Sequence, residues 1–89
     1  MYVILCYDAN KDRDAKLMKV SKKYLRHVQK SVFEGFLTPS QLKHLKNDLY
    51  RYLAPEEDSA VIYVMNAEDA VCRCAIGRQS TVEEKEDEN

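Results

Sequence analysis

Glycine and proline are scarce in this chain, two of each in 89 residues. No glycine-rich loop is present to cradle a nucleotide phosphate. No apolar run is long enough to span a bilayer, and no signal-peptide core stands at the start, so the expectation is a soluble, cytoplasmic chain with no membrane partner. The three cysteines, Cys6, Cys72 and Cys74, are an odd number set in apolar runs. Cys72-x-Cys74 lacks the paired spacing of a zinc site, and all three read as buried, reduced thiols. No Ser/His/Asp or Cys/His arrangement suggests nucleophilic catalysis, and His27 and His44 read as helix-surface residues. Exposed aromatics for base stacking are not evident, because most of the six tyrosines fall on apolar faces or helix flanks.

What is present is a small single domain with an uneven charge. A chain of this size buries only roughly 60% of its unfolded surface, so it often gains from dimerising. The formal net charge of −1 conceals eight Lys/Arg against three Asp in residues 1–30, and five acids against one Lys in the last ten. A basic first half suggests a polyanionic partner.

Met1 to Asn10, MYVILCYDAN, dominate the pattern. Tyr2 to Tyr7 are apolar or aromatic without a helical period and read as a strand buried on both faces. Alternation puts Val3, Leu5 and Tyr7 on one face and Tyr2, Ile4, Cys6 and Asp8 on the other. An acid at the mouth of an apolar strand is costly to desolvate unless a cation waits there, an Arg or Lys of the chain or a metal ion. The plainer alternatives are a solvated strand end or a cap for the next helix.

Asp12 or Asp14 is the expected N-cap of a first helix running to about Arg26. Ala15, Met18, Ser21, Leu25 and Val28, widened by Leu17 and Tyr24, form its core-facing stripe. Lys16, Lys19, Lys23, Arg26 and Lys30 then form a cationic row on the opposite side. Such a row is either a solvated face or a contact for nucleic-acid phosphates.

Residues 28–37, VQKSVFEGFL, read as extended, either a short hairpin or one strand kinked at Gly35. Thr38 as cap, Pro39 at the first helical position and Gln41 completing a capping box start a second helix. Its apolar face is Leu42, Leu45, Leu49 and Tyr52, with Leu53 beside it, and Ala54-Pro55 ends it. Glu56, Glu57 and Asp58 read as an acidic turn. Ala60 to Met65 is a second buried strand, Asn66 to Ala70 a turn or helical scrap, and Val71 to Ile76 a last strand closed by Gly77. Residues 1–78 make the domain. Residues 79–89 are an acidic tail, disordered or pairing with a partner subunit. The order implies an α+β, ferredoxin-like two-layer sandwich, a mixed sheet with two helices on one face.

Tyr7-Asp8 after a strand, Gln29-x-Ser31-Val32-Phe33-Glu34-Gly35-x-Leu37-Thr38, the AVIYVM strand and Ile76-Gly77 together resemble the small CRISPR-associated endonuclease family, which partners the CRISPR integrase in spacer acquisition. The resemblance covers residues 1 to about 78. It implies a homodimer with a divalent cation near the two-fold axis, Mg²⁺ or Mn²⁺ in its place, held by Asp8. It also implies roles for Tyr7, for Arg13 as the best match to an arginine at the start of the first helix, and for Phe33. Some members carry an arginine where this chain has His27, so that role is not carried over.

The donor chemistry agrees with a dimer. Mg²⁺ keeps several waters and binds through one or two carboxylates plus phosphate. One Asp per chain is thin for that, and a two-fold axis beside the first strand supplies the second. Glu34 is the nearest rival acid. Three functions follow as expectations: a metal-dependent endonuclease on RNA or DNA centred on Asp8; a non-catalytic adaptor holding duplex DNA for the integrase; and a ferredoxin-like regulatory module whose basic row is merely solvated.

Overall fold

A computed structural model describes residues 1–66 and 71–78, and the chain runs through them as β1 (Tyr2–Asp8), α1 (Lys11–Lys22), β2 (Arg26–Gln29), β3 (Val32–Phe36), α2 (Pro39–Tyr52), β4 (Ser59–Met65) and β5 (Val71–Gly77). The strands form one sheet in the order β2-β3-β1-β4-β5, with the two helices packed on each other over one of its faces. This is the expected ferredoxin-like α+β sandwich. Its sheet, however, is antiparallel at every pairing rather than mixed. The reason is interleaving. α1 joins two strands of like direction, β1 and β2, and β3 slots between them; α2 joins β3 and β4, with β1 between.

Alternation along β1 is as expected: Val3, Leu5 and Tyr7 are buried beneath the helices. Tyr2, Ile4 and Cys6 are only half-buried, so β1 is covered on one face and not on both. The registers carry that parity across the sheet. Phe33, Ala60, Ile62, Val64 and Ile76 join the core with Leu17, Leu45 and Leu49 from the helices. Ile4 sits opposite Glu34 and Tyr63, and Tyr2 opposite Phe36 and Met65, on the uncovered face. Each fully buried Leu, Ile or Phe side chain contributes about 1.5–3 kcal/mol over leaving it exposed.

The first helix departs from expectation at both ends. Asn10, not Asp12 or Asp14, is the N-cap, its side-chain oxygen accepting from the Asp12 N–H at 2.9 Å. The helix stops at Lys22, because the Ser21 carbonyl accepts from both the Tyr24 and Leu25 N–H groups and turns the chain. Leu25 is therefore buried beyond the helix, and Val28 is exposed on β2. The buried face is Leu17, Val20 and Ser21, while Ala15 faces solvent.

The extended segment is a hairpin that begins at Arg26, with Lys30 in its turn at a φ of 35°. Gly35 is a close approach within β3: a Cβ there would lie 3.3 Å from Leu25 Cδ2. α2 starts as its sequence predicts. Thr38 Oγ1 accepts from the Gln41 N–H at 3.1 Å, and Gln41 Oε1 accepts from the Thr38 N–H at 2.9 Å. Leu45, Leu49 and Leu53 are buried, with Leu42 and Tyr52 packed against them.

The cysteines are free thiols, but Cys72 is exposed and Cys6 and Cys74 are only half-buried. β5 is an edge strand from which Ile76 alone is fully buried. The expected turn at 66–70 and the acidic tail at 79–89 lie outside the described residues, apart from Asn66. No helix among the described residues is long and apolar enough to cross a membrane.

Candidate active site

β1 delivers Tyr7 and Asp8 to opposite faces of the sheet, and this separates the expected site residues. Tyr7 lies in the core, its ring stacked on Phe33 at 5.9 Å, and Phe33 stacks in turn on His27 at 4.8 Å. Among the described residues the buried Tyr7 hydroxyl has no hydrogen-bond partner. Burial, reinforced by the nearby Asp14 charge, pushes its pKa up to about 12, so it stays protonated at neutral pH. His27 is on β2 rather than on a helix, and its Nε2–H donates to the Lys30 carbonyl at 2.6 Å. His44 is exposed on α2.

Asp8 ends β1 on the other face, with its side chain 81% exposed. It is solvated, and the cation beside it is Arg78, whose Nη2 lies 3.8 Å from Asp8 Oδ2. Glu34, the rival acid, is committed elsewhere. It accepts from Arg26 Nη2 at 2.8 Å, and that guanidinium holds its carboxyl below the usual carboxylate range.

Arg13 does not reach Asp8 but a different acid. Its Nε donates to Asp58 Oδ2 at 2.6 Å, and its Nη2 to Asp58 Oδ1 at 3.0 Å and Glu57 Oε1 at 2.9 Å. Asp58 is fully buried and also accepts from the Asn10 and Ala54 N–H groups. Chiefly the Arg13 guanidinium, aided by those two backbone donors, holds its carboxyl well below the usual carboxylate range, against the opposing effect of burial. The acidic-turn reading missed this residue. The signal was available: Ala60, Ile62 and Val64 face inward, and the same alternation extended by two residues brings Asp58 to the core face.

The cationic row is broken by the end of α1. Lys16 and Lys19 lie on the exposed side of the helix, and Lys23 is its C-cap. Arg26 is on β2, paired with Glu34, and Lys30 is in the hairpin turn. Lys16 Nζ sits 5.0 Å from the centre of the Tyr52 ring. Five cations on one helix edge are thus three, because Arg26 and Lys30 continue the spacing only in sequence.

Among the described residues no three His, Cys, Asp or Glu side chains gather where they would hold a metal ion. Asp8, its side chain 81% exposed, is an acid that the chain offers outward where β1 ends.

An antiparallel five-stranded sheet under two helices, with an exposed acid where its central strand ends, defines a ferredoxin-like domain. The family model described as CRISPR associated protein Cas2 matches residues 1–71, and the chain belongs to that family. It is 46% identical over 68 residues to the CRISPR-associated endoribonuclease Cas2 of Thermotoga maritima, covering 76% of this chain and 78% of that one. To the CRISPR-associated endoribonuclease Cas2 2 of Archaeoglobus fulgidus it is 38% identical over 77 residues, covering 86% and 84%. A crystal structure of Cas2 superimposes with a TM-score of 0.72 at 38% identity over 91% of both chains. Streptococcus pyogenes Cas2 gives 0.68 at 29% identity, covering 74% of this chain and 87% of that one.

Proposed function

We propose that the chain is a homodimeric, metal-dependent endoribonuclease of the spacer-acquisition stage, with Asp8 holding the cation. The observation that carries this reading is the position of Asp8, exposed at the margin of an uncovered apolar sheet face. Tyr2, Ile4, Cys6, Val61, Tyr63 and Met65 share that face and are each half-buried in the single chain. A second copy stacked there buries them and brings two Asp8 carboxylates to one axis. The relatives named as endoribonucleases support RNA as substrate.

Asp8 and its symmetry mate fit Mg²⁺ or Mn²⁺, which takes oxygen ligands and keeps water. The bound ion would activate that water and offset the charge building on phosphorus. The chain's own residues do the positioning. Tyr7 and Phe33 fix β1 in register from beneath, and Arg13 ties the first turn of α1 to Asp58, just before β4. Lys16, Lys19 and Lys23, with Arg26 and Lys30 from β2 and its turn, would meet phosphates.

The test is Asp8→Asn, repurified free of contaminating nuclease. Loss of RNA cleavage with dimer and fold intact is expected; wild-type cutting by that variant ends the catalytic reading. A second reading is a non-catalytic adaptor that holds duplex DNA for the integrase. The solvent-facing α1 lysines favour it. It predicts that Asp8→Asn leaves duplex binding and integrase association unchanged.

A further inference from the structure

We propose that Arg78 is a phosphate ligand of this site and exchanges partners with Asp8: it pairs with the Asp8 carboxylate in the free chain, and with a phosphodiester once Asp8 takes its cation. The proposal rests on the reading of Asp8 given above and adds the last residue of the domain.

Two observations carry it. The root of Arg78 is fixed. Its N–H donates to the Asp58 carbonyl at 2.7 Å. Gly77 before it has a φ of 86°, and a Cβ there would come within 2.4 Å of the same Asp58 oxygen, so only glycine allows this approach. Asp58 is itself immobilised by Arg13, Asn10 and Ala54. The tip, in contrast, is loosely held. Its Nε donates to the Glu57 carbonyl at a long 3.4 Å, and the pair with Asp8 is a contact at 3.8 Å between side chains 53% and 81% exposed, the kind that contributes little to stability and exchanges readily.

A carboxylate that takes a divalent cation has no charge left for a guanidinium, and the cation repels it. The displaced group needs another anion within its reach, and the non-bridging oxygens of a phosphodiester suit its forked donors. The ligand class is therefore a polynucleotide backbone, read without regard to base.

The experiment uses the full chain and two probes: Mn²⁺ alone by calorimetry, and a labelled, cleavage-resistant 2′-O-methyl oligoribonucleotide in saturating Mn²⁺ by fluorescence anisotropy over a salt series. Arg78→Gln should bind Mn²⁺ several-fold more tightly, because the competing cation is gone. It should bind RNA about tenfold more weakly, the loss of one charge-assisted contact, with the salt slope shallower by about 0.7. Arg78→Lys should keep most of the RNA affinity, and unchanged circular dichroism melting shows that the fold is intact. If either affinity of the Gln variant stays within twofold of wild type, the exchange is wrong. Asp8→Asn is measured alongside. Should it still bind Mn²⁺ and cut, the reading of Asp8 fails, whereas the RNA affinity of Arg78→Gln judges Arg78 by itself.

Discussion

The guanidinium of Arg13 closes on the buried carboxylate of Asp58 through two donors, at 2.6 and 3.0 Å. The pair joins the first turn of α1 to the residue before β4, and the same carboxylate also accepts from the Asn10 and Ala54 N–H groups. The sequence places these residues 45 positions apart. Asp58→Ala should lower unfolding stability by about 3 kcal/mol, because it strands a partly buried cation and two backbone donors. Urea denaturation measures it; a loss under about 0.5 kcal/mol would make the pair ornamental.

The same carboxylate sets an acid limit. Its pKa in the fold lies below the unfolded value of about 3.9. Between those values the unfolded chain binds the extra proton, so stability rises with pH in that window. The contribution is complete above about pH 5 and is lost as the pH falls through the unfolded value toward the folded one. In Asp58→Asn this segment of the melting-temperature profile should flatten. A profile parallel to wild type below pH 4 would assign acid lability to other groups.

Gly77→Ala should cost about 1–3 kcal/mol, the strain of a left-handed backbone compounded by the clash with the Asp58 carbonyl. Gly35→Ala should be milder, since the 3.3 Å contact there is with the end of the Leu25 side chain. Thermal melts of the two variants provide the comparison, and equal losses would contradict the close approach at Gly77.

Ile4→Lys places a charge in the middle of the uncovered sheet face without touching the core. If the proposed dimer forms through this face, sedimentation velocity should show wild type as a dimer and the variant as a monomer, with near-unchanged circular dichroism. A variant dimer of wild-type affinity would move the interface elsewhere on the surface.

Lys19→Glu with Lys23→Glu should weaken duplex binding and flatten its dependence on salt, each lost phosphate contact removing about 0.9 from the slope. Reversing Arg26 tests a different location, since it lies on β2 in a pair with Glu34. An unchanged slope in the lysine double variant would leave α1 a solvated helix.

Much of this architecture was legible in local chemistry. Thr38, Pro39 and Gln41 act within one turn, and their capping geometry needs nothing from the rest of the chain. The parity of Val3, Leu5 and Tyr7 is equally local. The end of α1 was not, because Leu25 and Val28 continue a helical spacing although the backbone leaves the helix at Lys23. What ends it is the Ser21 carbonyl taking two N–H donors, a choice imposed by burying Leu25 beside Gly35. Asp58 was hidden for a related reason. Next to Glu56 and Glu57 it reads as one of three surface acids, and the partner that makes its burial tolerable lies far back in the chain.

β1 pairs only with strands made after it: β3 on one side and, much later, β4 on the other. During synthesis one edge of its apolar ribbon can pair once β3 has emerged, but the other must wait bare until β4, near the end of the domain. Messages cut short within α2 would therefore yield sticky fragments, and the cell's quality control, more than the finished fold, would determine how much of the chain survives.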